Sequence, residues 1–175
     1  NIAAGYFNLG KSLLMDSLNY QRSFTAYNRY RDVYRMVEPE TNFRSKDIEY
    51  NLAVGSLHLD LYMKNENNTE AGDIAKLSLL KVLEIQPDNH SALLNMGLMY
   101  YNQAAFLSQK VDYGIELEKI DVVQENMVKL AKQAEQFIIR VYQQDNKNAK
   151  AVQALYYIYR MLLDFPKSDE FKVKC

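Results

Sequence analysis

One junction between two helices constrains the fold of this chain more than any other stretch of its sequence. Within residues 82–101, an apolar run ends at Ile85, and Pro87 follows two positions later. Proline cannot continue a helix and restricts the residue before it, so a helix is predicted to end here. Three side chains that can cap a new helix come next, namely Asp88, Asn89 and Ser91. The sequence therefore predicts two helices joined by a tight turn.

The helix after this turn is predicted to have one apolar face. Four of its residues recur at the i, i+3, i+4, i+7 spacing of an amphipathic helix: Leu93, Met96, Gly97 and Tyr100. The whole chain of 175 residues contains only 6 glycines and 3 prolines. A β-sandwich of this length needs many more turn residues, so the composition favours an all-helical chain.

The pattern of this helix recurs along the chain. Copies are found at residues 6–13, 50–56, 93–100 and 152–159. In three copies a large apolar residue is followed by a small one that lets a partner helix approach closely: Gly10, Ala53 and Gly97. Tyr156 takes this position in the fourth copy. Repetition of one helical unit at long intervals is typical of repeat proteins.

A second apolar helix is predicted after each copy. The second helices cover residues 21–37, 73–85 and 122–144, and a truncated one covers 167–175. Asn148 is expected to cap the last copy, where the earlier turns use proline. Polar insertions are expected at 40–44, as a loop at 64–72, and within 108–121 as a loop or as extensions of both helices.

These helix pairs resemble the tetratricopeptide repeat (TPR) family, with approximate repeats at residues 3–39, 46–87, 90–146 and 149–175. Their spacing exceeds the usual period of about 34 residues because of the insertions. The resemblance implies an all-α fold, a right-handed α-solenoid of antiparallel helix pairs, with seven helices and a truncated eighth in a single domain. It also implies a binding protein rather than an enzyme.

In the family, the first helices of the repeats line a concave groove. The resemblance assigns to this groove Phe7, Asn8, Lys11, Tyr50, Asn51, Val54, His58, Leu94, Asn95, Leu98, Tyr101, Asn102, Lys150, Tyr157 and Arg160. Three asparagines share one repeat position, and their amides could bind the backbone of a peptide: Asn8, Asn51 and Asn95. They could equally be solvated surface residues, and the apolar members could be core residues.

The function implied is a non-catalytic protein–protein interaction module that takes a peptide, an extended segment or a helix of a protein partner. The register lacks the side chains with which some family members grip a chaperone's C-terminal carboxylate, so that ligand is not expected. Two alternatives remain open. The chain could be a docking segment of a larger multi-domain protein, or a structural module that forms a homodimer through a C-terminal face made of Tyr156, Tyr159, Met161, Leu162 and Phe165.

Other classes of function find little support in the sequence. The formal net charge of −1 argues against nucleic-acid binding. The arginines of one predicted helix are interpreted as its solvated face: Arg22, Arg29, Arg31 and Arg35. His58 and His90 lack zinc-site spacing, and no phosphate loop or nucleophile elbow occurs, so no metal, cofactor or catalytic residue is expected.

No apolar run in the sequence reaches the length of a membrane helix, so no membrane insertion is expected. The sequence leaves a cytoplasmic and a periplasmic location equally open. Its richness in asparagine, lysine and tyrosine favours a bacterial source.

Overall fold

The structure, a computed structural model, describes residues 2–14, 20–109 and 117–172. Over these ranges the chain is helical and contains no strand, which confirms the predicted all-α class. The eight helices of the described ranges are α1 (Ile2–Leu14), α2 (Tyr20–Val37), α3 (Arg44–Lys64), α4 (Thr69–Ile85), α5 (His90–Gln109), α6 (Leu117–Gln144), α7 (Ala149–Met161) and α8 (Phe165–Lys172). None of these helices is long and apolar enough to cross a bilayer.

The chain divides into two compact units, Asn1–Pro87 and Asp88–Cys175. In the first unit α1 packs on α2 and α3 packs on α4. In the second unit α5 packs on α6, and α7 packs on both α6 and α8. The first two predicted repeats therefore lie in the first unit, and the last two lie in the second.

The predicted helix ends around proline and asparagine are confirmed. Helix α4 ends at Ile85, where the Gln86 N–H donates to the Val82 carbonyl at 2.8 Å. At the next helix, Asn89 Oδ1 accepts from the Ala92 N–H at 3.0 Å. Asn148 caps α7 in the same way, because its Oδ1 accepts from the Ala151 N–H at 3.0 Å. Short polar side chains thus begin both helices, as expected for N-caps.

All three expected insertions can be compared with the helix bounds, and the one at 40–44 lies between α2 and α3 up to Arg44, where α3 begins. The loop expected at 64–72 is wrong in its second half, because α4 already begins at Thr69. The reason is Asn68, whose Oδ1 accepts from the Ala71 N–H at 3.2 Å and so caps the helix early. In the insertion at 108–121, α5 extends to Gln109 and α6 begins at Leu117, while 110–116 lie outside the described residues. The same holds for the last three residues of the helix predicted at 167–175.

Each of the three long helix pairs has a glycine at its point of close approach. A Cβ on Gly10 would lie 3.3 Å from the Ser23 carbonyl oxygen, and a Cβ on Gly97 would overlap the Ile138 side chain. In α3 the glycine is Gly55, where a Cβ would lie 2.7 Å from Leu79 Cγ. The prediction that Ala53 takes this place is wrong. The sequence offers two small residues two positions apart, and only tertiary packing selects between them.

The two units have different cores. The first is aromatic: the rings of Tyr27 and Tyr50 stack 4.0 Å apart, and the Phe7 and Tyr30 rings lie 5.2 Å apart. Ser23 is fully buried here, where its hydroxyl donates to the Gly10 carbonyl at 2.7 Å. The core of the second unit is mainly aliphatic, with fully buried Leu93, Met96, Ile138, Leu155 and Ile158.

Candidate functional site

Four residues assigned to the groove from the sequence belong to the core of the first unit. Phe7 is 5% exposed, Tyr50 2%, Val54 1% and His58 3%. They lie on the faces of α1 and α3 that pack against neighbouring helices, so they offer almost no surface to a partner. The two-residue difference between Ala53 and Gly55 explains this for α3, because it rotates the buried face of the helix by about 200° relative to the predicted one.

The same rotation of α3 changes the helical face on which Asn51 lies relative to that of Asn8. Asn8 is exposed two positions before Gly10, and Asn95 stands two positions before Gly97. Asn51, by contrast, stands four positions before Gly55. Its Nδ2 donates to the Asp47 carbonyl at 2.8 Å, and its side chain lines a cavity walled by α2 and α4. The structure therefore does not bring Asn8 and Asn51 onto one face.

Lys11 is the remaining predicted groove residue of the first unit, and it takes part in a surface ion-pair cluster. Its Nζ lies 2.6 Å from Glu49 Oε1, while Lys46 Nζ lies 2.7 Å from the other Glu49 oxygen. Hydrogen bonds from Lys11 and then Lys46 lower the pKa of Glu49 below its ordinary value. Exposed pairs of this kind contribute little to stability, about 0–1 kcal/mol each.

The predicted groove residues of the second unit are all at least partly exposed. They lie on two helices that contact each other: Leu94, Asn95, Leu98, Tyr101 and Asn102 on α5, and Lys150, Tyr157 and Arg160 on α7. The rings of Tyr101 and Tyr157 lie 6.4 Å apart and join the two helices. Tyr157 keeps 42% of its surface exposed. Of this half of the predicted set, the structure brings Tyr101 and Tyr157 into contact across the two helices.

We call the surface formed by Leu94, Leu98, Tyr101, Tyr157 and Arg160 the α5–α7 surface. Its three α5 residues share one helical face because they are spaced by four and three positions. This spacing gives a stripe of partly exposed apolar side chains beside the tyrosine pair. Such a stripe can bind apolar side chains of a partner.

Polar groups border the α5–α7 surface. Asn102 Nδ2 donates to the Leu98 carbonyl at 2.7 Å. This bond uses the amide nitrogen of Asn102 and not its amide oxygen. Burial, and then the neighbouring Tyr157, raise the pKa of Tyr101, so its phenol stays protonated at neutral pH and can donate a hydrogen bond. The guanidinium of Arg160 lies 5.7 Å from the Tyr156 ring and 5.9 Å from the Phe165 ring. It is therefore held beside aromatic surface.

The arginines of α2 largely follow the interpretation made from the sequence. Arg22, Arg29 and Arg35 are exposed. Arg31 differs, because its Nη1 lies 3.4 Å from Asp47 Oδ1 and its side chain is mostly buried between helices. Sequence reasoning treated all four alike. A signal was present, since Arg31 follows the buried residue Tyr27 by one helical turn and therefore shares its face.

The histidines serve the structure. His58 Nδ1 lies 3.0 Å from the Val54 carbonyl oxygen, and its ring meets the Tyr20 ring edge-on at 5.0 Å. His90 lies within hydrogen-bond distance of Gln144 Oε1 at 3.1 Å and of Asn148 Nδ2 at 3.0 Å. Within the described ranges no group of three His, Cys, Asp or Glu residues is placed to hold a metal ion.

Comparison with known proteins finds no family model and no curated sequence that matches this chain. The resemblance to tetratricopeptide repeats accordingly rests on the residues and helix pairs of the chain itself.

Proposed function

We propose that this chain is a tetratricopeptide-like repeat protein that binds an extended peptide segment of a protein partner on the α5–α7 surface, without catalysing a reaction. The observation that carries the proposal is the contact between Tyr101 and Tyr157 across two neighbouring helices, with Tyr157 42% exposed. Tyrosine offers a large apolar ring and a polar hydroxyl at a small entropic cost, which is why it is frequent at binding hot spots.

The chemistry around the tyrosine pair suits an extended peptide. Leu94 and Leu98 offer apolar surface for side chains, and the Asn102 amide oxygen can accept from a peptide N–H. Arg160 at the end of the surface adds a cation that can pair with an acidic residue. A segment with aromatic or aliphatic residues and one acidic residue therefore matches the surface best.

The close glycine contacts of the helix pairs support the proposed right-handed α-solenoid. A repeat of two helices cannot bury its apolar face alone, and stacking on a neighbouring repeat completes the burial. The contacts of α7 with both α6 and α5 are of this kind, because they join one predicted repeat to the next.

The experiment that tests the proposal begins with selection of peptides from a random display library on the purified protein. The affinity of the selected peptide is then measured by isothermal titration for the wild type and for Tyr157→Ala. We expect Tyr157→Ala to weaken binding roughly tenfold or more, as truncation of an aromatic hot spot does.

Val122→Ala is the matched control, because Val122 is an exposed apolar residue of α6 in the same unit, with 58% of its surface exposed. It should leave the affinity unchanged. A peptide that binds Tyr157→Ala as tightly as the wild type would show that it does not bind on the α5–α7 surface.

A second candidate function is oligomerisation through the C-terminal face. The observation in its favour is the exposure of Leu163, between α7 and α8, and of Phe165, the first residue of α8, at 64% and 50%. Tyr159 no longer belongs to that face, because it is buried and its ring stacks on Phe171 at 5.7 Å. Sedimentation velocity separates the two functions: a peptide binder should be monomeric without ligand, whereas the alternative requires a dimer that Phe165→Ser dissociates.

A further inference from the structure

The first unit contains two adjoining cavities that the proposed function does not use. Their volumes are about 230 Å³ and about 680 Å³, and Arg31, Asp47, Glu84 and Ile85 line both. The walls come from α2, the turn before α3, the start of α3 and the end of α4. These cavities are large enough for a side chain or the end of a peptide.

Arg31 has an unpaired hydrogen-bond donor at this site. Its Nη1 lies 3.4 Å from Asp47 Oδ1, and Asp47 also accepts a hydrogen bond from the Tyr27 hydroxyl. The Arg31 Nε is buried and has no partner among the described residues. Buried donors without a partner are rare in folded proteins and call for a ligand or another explanation. The Nε edge of a guanidinium is one of the edges that bind a carboxylate through two parallel hydrogen bonds.

A second guanidinium, that of Arg35, lies near the same aromatic ring as Arg31 and lines the larger cavity. The groups of Arg31 and Arg35 both lie near the Phe43 ring, at 5.3 Å and 5.5 Å from its centroid. Within the described part of the chain, Arg35 forms no ion pair. Phe43 thus contacts two cationic groups without neutralising either of them.

The charges of the lining favour an anionic ligand. Four cationic residues line the two cavities (Arg31, Arg35, Arg44 and Lys81), against the carboxylates of Asp47 and Glu84. The cationic excess attracts an anion, and a carboxylate matches the two parallel donors of a guanidinium edge. Phe43, Ile85 and Pro87 add apolar surface beside the charges.

From this arrangement we infer that the first unit binds a carboxylate of a peptide, with Arg31 holding it edge-on and Arg35 beside it. The carboxylate can come from an aspartate or glutamate side chain or from a peptide C-terminus, since the shared group is the same. This site lies within the first unit and does not depend on the α5–α7 surface.

The test uses three short probes on the whole chain: acetyl-Ala-Phe-Glu-Ala-amide, acetyl-Ala-Phe-Gln-Ala with a free C-terminus, and acetyl-Ala-Phe-Gln-Ala-amide. The first carries a side-chain carboxylate, the second carries a terminal carboxylate, and the third carries neither. Binding is followed by NMR on the Arg31 Nε–H signal and on the backbone amides of residues 41–47. We expect at least one carboxylate probe to bind roughly tenfold more tightly than the neutral probe and to shift the Nε–H signal. The probe that does so identifies the source of the carboxylate.

Variants show whether Arg31 is responsible. Arg31→Lys keeps the charge but loses the two-donor edge, so it should abolish the preference for the carboxylate probes. Arg35→Gln, at an exposed position where folding is not at risk, should weaken binding several-fold. Arg29→Lys is the control on the same helix and should bind as the wild type does. Equal binding of all three probes, or an equal loss in Arg29→Lys, would overturn the inference. Tighter binding of inorganic phosphate than of either carboxylate probe would overturn the assigned ligand class.

Discussion

At the scale of single residues, the aromatic core of the first unit depends on a buried tyrosine hydroxyl. The Tyr50 hydroxyl lies 3.0 Å from Ser23 Oγ, and Ser23 donates in turn to the Gly10 carbonyl. This chain of hydrogen bonds satisfies two polar groups in an interior that would otherwise penalise them. It also joins α1, α2 and α3 at one point. Neither the bond nor the burial of Ser23 could be predicted from the sequence, because serine is usually exposed.

Burial raises the pKa of Tyr50 to about 12, against an ordinary value of 10.0. The phenol therefore ionises more easily in the unfolded chain than in the folded one. Its contribution to stability is complete below the unfolded pKa and is lost as the pH rises from about 10 to about 12. We predict that the free energy of unfolding falls over this range, by up to about 1.4 kcal/mol per pH unit for this one group.

Urea titrations at several alkaline pH values measure this slope. Tyr50→Phe should make the slope shallower, although it removes the bond to Ser23 and lowers stability at neutral pH. Tyr157→Phe removes an exposed phenol and serves as the control. A slope in Tyr50→Phe as steep as in the wild type would show that Tyr50 is not protonated and buried as described.

At the scale of helices, the sequence predicted the elements well and their orientation less well. Local signals decided the ends: Pro87 follows α4, and Asn148 caps α7. The face that each helix buries depends on contacts distant in the chain, and there the register of α3 was wrong by two residues. Gly55 and Ala53 are both small, so only Leu79 of α4 distinguishes them. For this reason three of the fifteen predicted groove residues became core, namely Tyr50, Val54 and His58.

The glycine contacts give a prediction for one helix pair. Gly97→Ala places a methyl group against Ile138 and the Ala134 carbonyl, so the unfolding free energy should fall by about 1–3 kcal/mol. Gly5→Ala is the matched control, because a Cβ there meets nothing within 4 Å. It should stabilise the chain by up to about 1 kcal/mol, the usual difference between alanine and glycine in a helix. Thermal unfolding of both variants measures these effects, and equal destabilisation would show that α5 and α6 do not approach as closely as described.

At the scale of the whole molecule, the chain contains two compact units, each with its own core and its own candidate binding site. The candidate site on the second unit could be predicted from sequence because its α5 residues lie on one helical face at regular spacing. The cavities of the first unit could not, because they combine residues of α2, α3 and α4 that no local pattern connects. Arg31 in particular was grouped with the solvated arginines of α2, and only the folded chain places Asp47 and Phe43 beside it.

The central claim is that the α5–α7 surface binds a peptide, and the most direct measurement maps the contact on the protein itself. Isotope-labelled protein is titrated with the library-selected peptide, and the shifted NMR signals are assigned. We predict that the largest shifts fall on Leu94, Leu98, Tyr101 and Tyr157. Shifts confined to the outer face of α6 around Val122, or to the first unit alone, would contradict the account.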